Sequence, residues 1–85
     1  MSATAEVVPH TWGVEVRLSG AGFTAGAVYR LTVRDDAGRE VPAGQFLGVG
    51  AQELHCSMNS SVLRQDAAGF EVRDAAGALV LRSEL

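Results

Sequence analysis

Apolar and polar residues alternate along most of this chain. In GVEVRLSG, residues 13–20, every second position is apolar, namely Val14, Val16 and Leu18, and AVYRLTVRD, residues 27–35, repeats the pattern. A period of two places successive side chains on opposite faces of a β-strand. No window of helical length keeps apolar residues at positions i, i+3, i+4 and i+7. The pattern therefore predicts strands throughout.

The same alternation divides the chain into seven strands. They are predicted at residues 3–8, 13–20, 27–35, 39–47, 51–58, 70–74 and 78–82. The first is expected to end at Pro9, which has no amide proton to donate, and residues 59–69 are expected to hold one helical turn, with Val62 and Leu63 filling the core. Short strands with glycine-rich connections and no crossover helix predict an all-β fold, a small antiparallel seven-strand sandwich of immunoglobulin-like type, formed by residues 1–85 as one domain.

One hexapeptide pattern, Val-Arg-Asp-x-Ala-Gly, occurs twice in the chain. An Asp three residues before a Gly favours a turn, because the carboxylate accepts hydrogen bonds from amides within the bend and Gly adopts the left-handed conformation. Both copies are therefore predicted to form hairpins, with Arg34 and Arg73 solvated on outward faces. The alternative interpretation is that Asp35 and Asp74 form an acid pair, or that Arg34 and Arg73 form an anion clamp. We prefer the turns, which already account for both carboxylates.

The two hairpins are predicted to differ in register. A three-residue loop, Asp36 to Gly38, pairs Val33 with Val41. The second hairpin is predicted to have a four-residue loop, Asp74 to Gly77. That loop would pair two core residues of one strand with leucines of the next, Phe70 with Leu81 and Val72 with Leu79.

Composition narrows the function classes. The chain is 47% hydrophobic and 20% charged with ten glycines, which is typical of a globular domain. Its net charge is −3 and it has no basic cluster, so the sequence lacks the positively charged patch that binds nucleic-acid phosphates. The longest uncharged stretches, LSGAGFTAGAVY and PAGQFLGVGAQ, are too short for a membrane helix, and the first residues do not resemble a secretion signal. We therefore expect no nucleic-acid partner and no membrane insertion by this segment.

Few residues suggest chemistry. His55 and Cys56 are adjacent, so a strand would direct them to opposite faces and they would not share a metal ion. Cys56 lies in phase with Leu54 and Met58, which predicts a buried, inert thiol. A nucleophilic cysteine would need a base, and only His10 remains. We expect no enzyme activity and predict no catalytic residue, no cofactor-binding residue, no metal ligand and no cofactor.

Trp12 is the only tryptophan and lies between the first two predicted strands. The structural interpretation is that it caps one end of the sandwich, with its indole N–H bound to a carbonyl oxygen. The functional interpretation is an exposed residue that anchors a partner. We expect the cap.

Three segments together carry a family resemblance. ATAEVVPHTWGVEVRLSG, YRLTVRDDAGREVPAGQF and FEVRDAAGALVL resemble the C-terminal extracytoplasmic domain of actinobacterial anti-sigma factors, including the anti-sigma-K-factor-like group and the zinc-finger anti-sigma group. The likeness lies in Trp12 and Gly13 after the first strand, in Tyr29, in the Asp-x-x-Gly turn and in the terminal Phe-Glu-Val-Arg hairpin. These residues maintain the fold, and none of them matches a ligand site.

The resemblance implies a function and a location. In such proteins an N-terminal cytoplasmic domain holds a sigma factor, one membrane helix follows, and the outer domain controls regulated proteolysis. We therefore expect a non-enzymatic sensor and regulatory domain on the extracytoplasmic side of the cell membrane, part of a single-pass membrane protein. Its partners would be a regulatory protease or sensor protein, with the sigma factor bound only through the missing N-terminal part. The alternative is a stand-alone immunoglobulin-like binding or adhesion module for a peptide or glycan. The oligomeric state is left open.

Overall fold

A computed structural model describes residues 1–85. It contains seven strands and one short 3₁₀ helix. The strands are β1 (Ser2–His10), β2 (Gly13–Ala21), β3 (Val28–Asp35), β4 (Glu40–Leu47), β5 (Leu54–Ser60), β6 (Ala67–Asp74) and β7 (Leu79–Glu84), and the 3₁₀ helix is Arg64–Asp66. The all-β prediction and the number of strands are confirmed.

Two antiparallel sheets form the sandwich. One has three strands in the order β1-β2-β5, and the other has four in the order β4-β3-β6-β7. Strands that follow one another along the chain therefore pair as hairpins or cross to the opposite sheet, as in small immunoglobulin-like sandwiches. The inward residues predicted for the second and third strands are buried, and they form the centre of the core: Val14, Val16, Leu18, Tyr29, Leu31 and Val33.

An aromatic cluster closes one end of the core. Phe23, in the loop between β2 and β3, packs edge-on against Tyr29 and Phe46, with ring centroids 5.1 and 5.2 Å apart. The amide of Thr24 donates a 2.9 Å hydrogen bond to the Tyr29 hydroxyl. Gly48 runs so close to this loop that a Cβ there would collide with the Thr24 carbonyl. The loop is thereby held against the sheets.

Several strand boundaries differ from those predicted. β1 continues through Pro9 because it is an edge strand, where a missing donor is tolerated. β5 begins only at Leu54, since Gly50, at φ +69° in the loop before it, forms an isolated bridge with Phe23 in the loop between β2 and β3. β6 begins earlier than expected, at Ala67. The expected helical turn is present, and Val62 beside it is buried as predicted, whereas the neighbouring Leu63 is only partly buried.

The predicted register is correct beside the turn of the first hairpin and wrong in the second hairpin. Val33 pairs with Val41 as predicted. In the second hairpin the predicted partners are wrong, because Phe70 pairs with Ser83 and Val72 with Leu81. The predicted difference in loop length is also wrong, since each copy of the repeated pattern makes the same three-residue loop. The amide of the turn aspartate donates to the carbonyl four residues later at 2.9 Å in the first copy and 3.0 Å in the second.

The shorter loop accounts for one residue of this error and a β-bulge for the second. The register of β3 and β4 slips by one residue at Ala43, and that of β6 and β7 slips at Val80. A bulge places two residues opposite one on the partner strand. The second slip lies within the continuous apolar run Ala-Leu-Val-Leu, where alternation gives no sign of an extra residue.

The two long sides of the sandwich differ. On one side β4 and β5 pack together, so closely that a Cβ on Gly44 would collide with the Met58 side chain. On the other side β1 and β7 are the edge strands of their sheets, and a groove of about 230 Å³ separates them. This side of the sandwich is open.

Candidate functional site

The turn interpretation of the repeated pattern is confirmed. One carboxylate oxygen of Asp35 accepts hydrogen bonds from the amides of Ala37 and Arg39, at 3.0 and 2.9 Å. Asp74 accepts the matching pair from Ala76 and Ala78, at 3.0 and 2.9 Å. The hydrogen bonds from the amides of Arg39 and Ala37, together with the Arg39 guanidinium, lower the pKa of the Asp35 carboxylate. Asp35 is the last residue of β3 and Asp74 is the last residue of β6. Because these two strands are antiparallel, the aspartates lie at opposite ends of the pair and do not form an acid pair.

Arg34 is not the solvated residue that was predicted. Its side chain is 18% exposed, and its guanidinium binds Glu71 through Nε at 3.0 Å and Glu84 through Nη2 at 3.0 Å. Arg82 also reaches Glu84, at 3.0 Å. These four residues, on β3, β6 and β7, form an ion-pair cluster on the outer face of the four-stranded sheet. Arg73 lies beside it, half-buried, 3.4 Å from the Glu40 carboxylate.

Glu71 is the unusual member of this ion-pair cluster. It is only 2% exposed although it projects from an outer face, and its second oxygen, Oε2, has no hydrogen-bond partner. The space above it is available to Arg34 because residue 69 is a glycine, where a Cβ would collide with the guanidinium. A buried carboxylate is stable only beside its cation. The ion-pair cluster is therefore structural and holds three strands in register.

A second polar network lies on the outer face of the three-stranded sheet. Glu15 is its centre: it accepts hydrogen bonds from the Ser57 hydroxyl and from Arg17 Nε, the latter at 3.2 Å, and His10 Nε2 lies 3.1 Å from its other oxygen. These contacts lower the pKa of Glu15 to about 2, with the Ser57 hydrogen bond as the largest cause. Arg17 also reaches Glu6, at 3.4 Å.

Acid is expected to weaken the fold through Glu15. Its pKa falls from 4.5 to about 2 on folding, so its contribution to stability is complete above pH 4.5 and disappears as the pH falls toward 2. When the pH is lowered from about 5 to about 2, the urea concentration at the unfolding midpoint should fall less for a Glu15→Gln variant than for the parent. Glu53→Gln, which removes an exposed carboxylate, should leave that profile unchanged. Parallel profiles for parent and Glu15→Gln would contradict the role of Glu15.

His55 and Cys56 lie on opposite faces of β5, as predicted. The His55 Nδ1 atom is 2.9 Å from the Ser19 hydroxyl on the outer face, and its other nitrogen is 3.7 Å from the exposed Glu53 carboxylate. Cys56 packs against the core but is partly rather than fully buried, and this burial raises the pKa of its thiol. No group of three or more His, Cys, Asp or Glu side chains is placed to hold a metal ion.

Trp12 does not cap the core, which corrects the prediction. It lies in the tight turn between β1 and β2, 50% exposed, and its indole stacks on His10 with ring centroids 4.5 Å apart and planes 7° from parallel. A residue at the tip of a two-residue hairpin loop projects beyond the sheet and does not reach the space between the sheets. Trp12 therefore presents a free aromatic surface, the kind of residue that anchors partners.

The β1–β7 groove is the main concave feature with an apolar floor. Core side chains of β2 and β6 form the floor, the inward side chains of β1 form one wall, and β7 forms the other. Its principal lining residues are Ala3, Ala5, Leu18, Phe70, Leu81 and Arg82. The only charged residue lining it is Arg82. The backbone edges of both walls face outward from their sheets without a neighbouring strand.

Sequence reasoning did not find this groove. Its weak signal is the small size of the inward residues of β1 at this end, since Ala3 and Ala5 lie there, opposite Gly20 and Leu18 of the neighbouring strand. Alanines at consecutive inward positions leave the space between the sheets underfilled. Which strand lies opposite β1 depends on the packing of the sheets, and a single sequence does not reveal it.

Comparisons with known protein families, with characterised proteins and with solved structures found no match to this chain. No helix in the structure is long and apolar enough to cross a bilayer.

Proposed function

We propose that this chain is a non-enzymatic regulatory domain that acts through protein contacts, as the extracytoplasmic domains of membrane-anchored anti-sigma factors do. The observation that carries the proposal is the open side of the sandwich. There, two unpaired strand edges border a groove with an apolar floor, formed by Leu18 and Phe70. Strand edges and apolar grooves are surfaces through which β-sheet domains recognise other proteins.

The mechanism follows from local stability. A partner on the open side would add contacts to the edge strands, which have neighbours on one side only and therefore open most easily. Binding would hold β1 and β7 closed and protect the adjoining chain from a protease, and loss of the partner would expose it. The domain would in this way convert a binding event into a proteolytic signal.

Limited proteolysis of the domain, with and without candidate partner domains encoded beside it, tests the regulatory part. We expect the partner that regulates it to slow cleavage within β1 or β7, because cleavage tracks the population of the locally opened state. Cleavage rates that never change with any partner would contradict the switch. The surrounding coding sequence tests the anti-sigma part, since a membrane helix and a sigma-binding segment ahead of this chain are required.

A second candidate function is a stand-alone binding module for a peptide or glycan. The exposed Trp12, stacked on His10, favours it, because flat aromatic surfaces bind ligands by stacking. The surrounding coding sequence also separates the two candidates, since a domain secreted without any membrane segment would support the binding module and contradict the anti-sigma proposal.

A further inference from the structure

We infer that the β1–β7 groove receives an extended segment of a partner protein, which pairs with the free edge of β1 and inserts two apolar side chains between the sheets. The two inserted side chains belong to residues i and i+2 of the partner strand. This inference rests on the proposed function as a protein-binding domain, and it names the chemical class of the partner.

The dimensions of the groove set the number of inserted side chains. Its β1 wall runs from Ala3 to Ala5 and its β7 wall from Leu81 to Ser83. Each wall spans two residue steps, or roughly 7 Å at ~3.4 Å per residue. Side chains on one face of a strand repeat at this same spacing. A groove of about 230 Å³ therefore suits two medium-sized apolar side chains from a single strand.

The edge of β1 is the better docking strand. It pairs with β2 without a register slip from Ser2 to His10, and Glu6 is its only carboxylate or arginine. Pro9, which interrupts an edge, lies beyond the groove. The edge of β7 is protected, since the bulge at Val80 distorts it and charged side chains border it. A regular uncharged edge accepts a new strand most easily.

A second copy of this chain does not fit the groove. Its own β1 would offer the inward alanines Ala3 and Ala5, which are too small to fill the space, and its β7 is bulged. Each copy also carries a net charge of −3, which opposes association. The one charged residue lining the groove is Arg82, 53% exposed. Its guanidinium is already paired with Glu84, at 3.0 Å, so the occupant is a partner strand defined by apolar residues at alternate positions.

Peptide binding tests this inference. The probe is a capped peptide of about nine residues, the length of a long strand, in which leucine alternates with threonine and glutamate; its control has the same composition with the leucines consecutive. Amide NMR shifts of the isotopically labelled protein report the site. We expect only the alternating peptide to bind, with shifts at Ala3, Ala5 and Leu81. Ala5→Leu, which fills the groove, should weaken binding at least about tenfold, whereas Ala37→Leu, the same change on an exposed turn, should not.

The outcomes separate this inference from the proposed function. Four results would each overturn the inserted strand. They are equal binding of both peptides, no binding by either, shifts confined to the Trp12 surface, and a concentration-dependent dimer that closes the groove. If Ala5→Leu does not fold, Ala3→Val makes a smaller addition to the same wall and is expected to weaken binding in the same direction. These results do not by themselves decide the proposed function, which is tested separately by partner-dependent cleavage and by the surrounding coding sequence.

Discussion

Replacing Arg34 by methionine is expected to destabilise the protein severely, although the residue lies on the outer face of a sheet. Arg34 Nε is 3.0 Å from Glu71, which is 2% exposed and has no other cation within 3.5 Å. The variant would leave the buried carboxylate without its hydrogen-bonded cation and with only Arg82, 3.8 Å away, beside it, which costs about 3 kcal/mol. For a domain of this size that corresponds to a fall in melting temperature on the order of 10 °C or more.

The matched double variant distinguishes the ion pair from simple loss of packing. Arg34→Met combined with Glu71→Leu removes both charges and keeps the apolar stems, and such replacements of buried pairs are often neutral or stabilising. We expect the double variant to recover most of the stability that Arg34→Met loses. Arg73→Met, on the same face, has the half-exposed Glu40 as its partner and should change stability little. Chemical unfolding of the parent, the single variants Arg34→Met and Glu71→Leu, and the double variant measures the coupling, and additive losses would show that Glu71 does not depend on Arg34.

Alternation along the sequence was enough to predict the number of strands and the facing of the core residues of β2 and β3, whereas Leu79 of β7, predicted opposite the core residue Val72, is exposed. The pairing of Val33 with Val41 beside the first turn was also predictable, because the turn chemistry of Asp35 fixes that loop. The register of β6 and β7 was not, because the loop after Asp74 is one residue shorter than predicted and the bulge at Val80, in an unbroken apolar run, adds a second residue of shift. A pattern of period two reports which face a residue occupies only while no extra residue intervenes.

Side-chain environments depended on partners that are distant along the chain. The outward face of Arg34 predicts a solvated side chain, but the pairing of β3 with β6 brings it to Glu71, 37 residues away. Trp12 is predicted to cap one end of the sandwich because it lies between two strands, but its turn is too short to return it to the core. In both cases tertiary geometry, rather than residue type, decided the environment.

Replacing Phe23 by alanine is expected to bring the protein close to unfolding. Phe23 is 1% exposed and belongs to no strand, yet it fills the end of the core against Tyr29 and Phe46. Loss of a buried phenylalanine side chain costs about 3–5 kcal/mol. A domain of this length has a total stability on the order of 4–13 kcal/mol, so the loss removes a large part of it. The denaturant midpoint should fall accordingly, with a slope that is unchanged if unfolding remains two-state.

Two further substitutions show whether the cost arises from the cavity. Phe23→Leu keeps most of the buried volume and should cost much less than Phe23→Ala, because cavity size governs the penalty. Leu47→Ala removes an apolar side chain that is 57% exposed. It should change the free energy of unfolding by no more than about 0.5 kcal/mol. If Phe23→Ala cost no more than Leu47→Ala, the loop between β2 and β3 would not be part of the core. The hydrogen bond from Thr24 to Tyr29 would then hold that loop without help from the aromatic cluster.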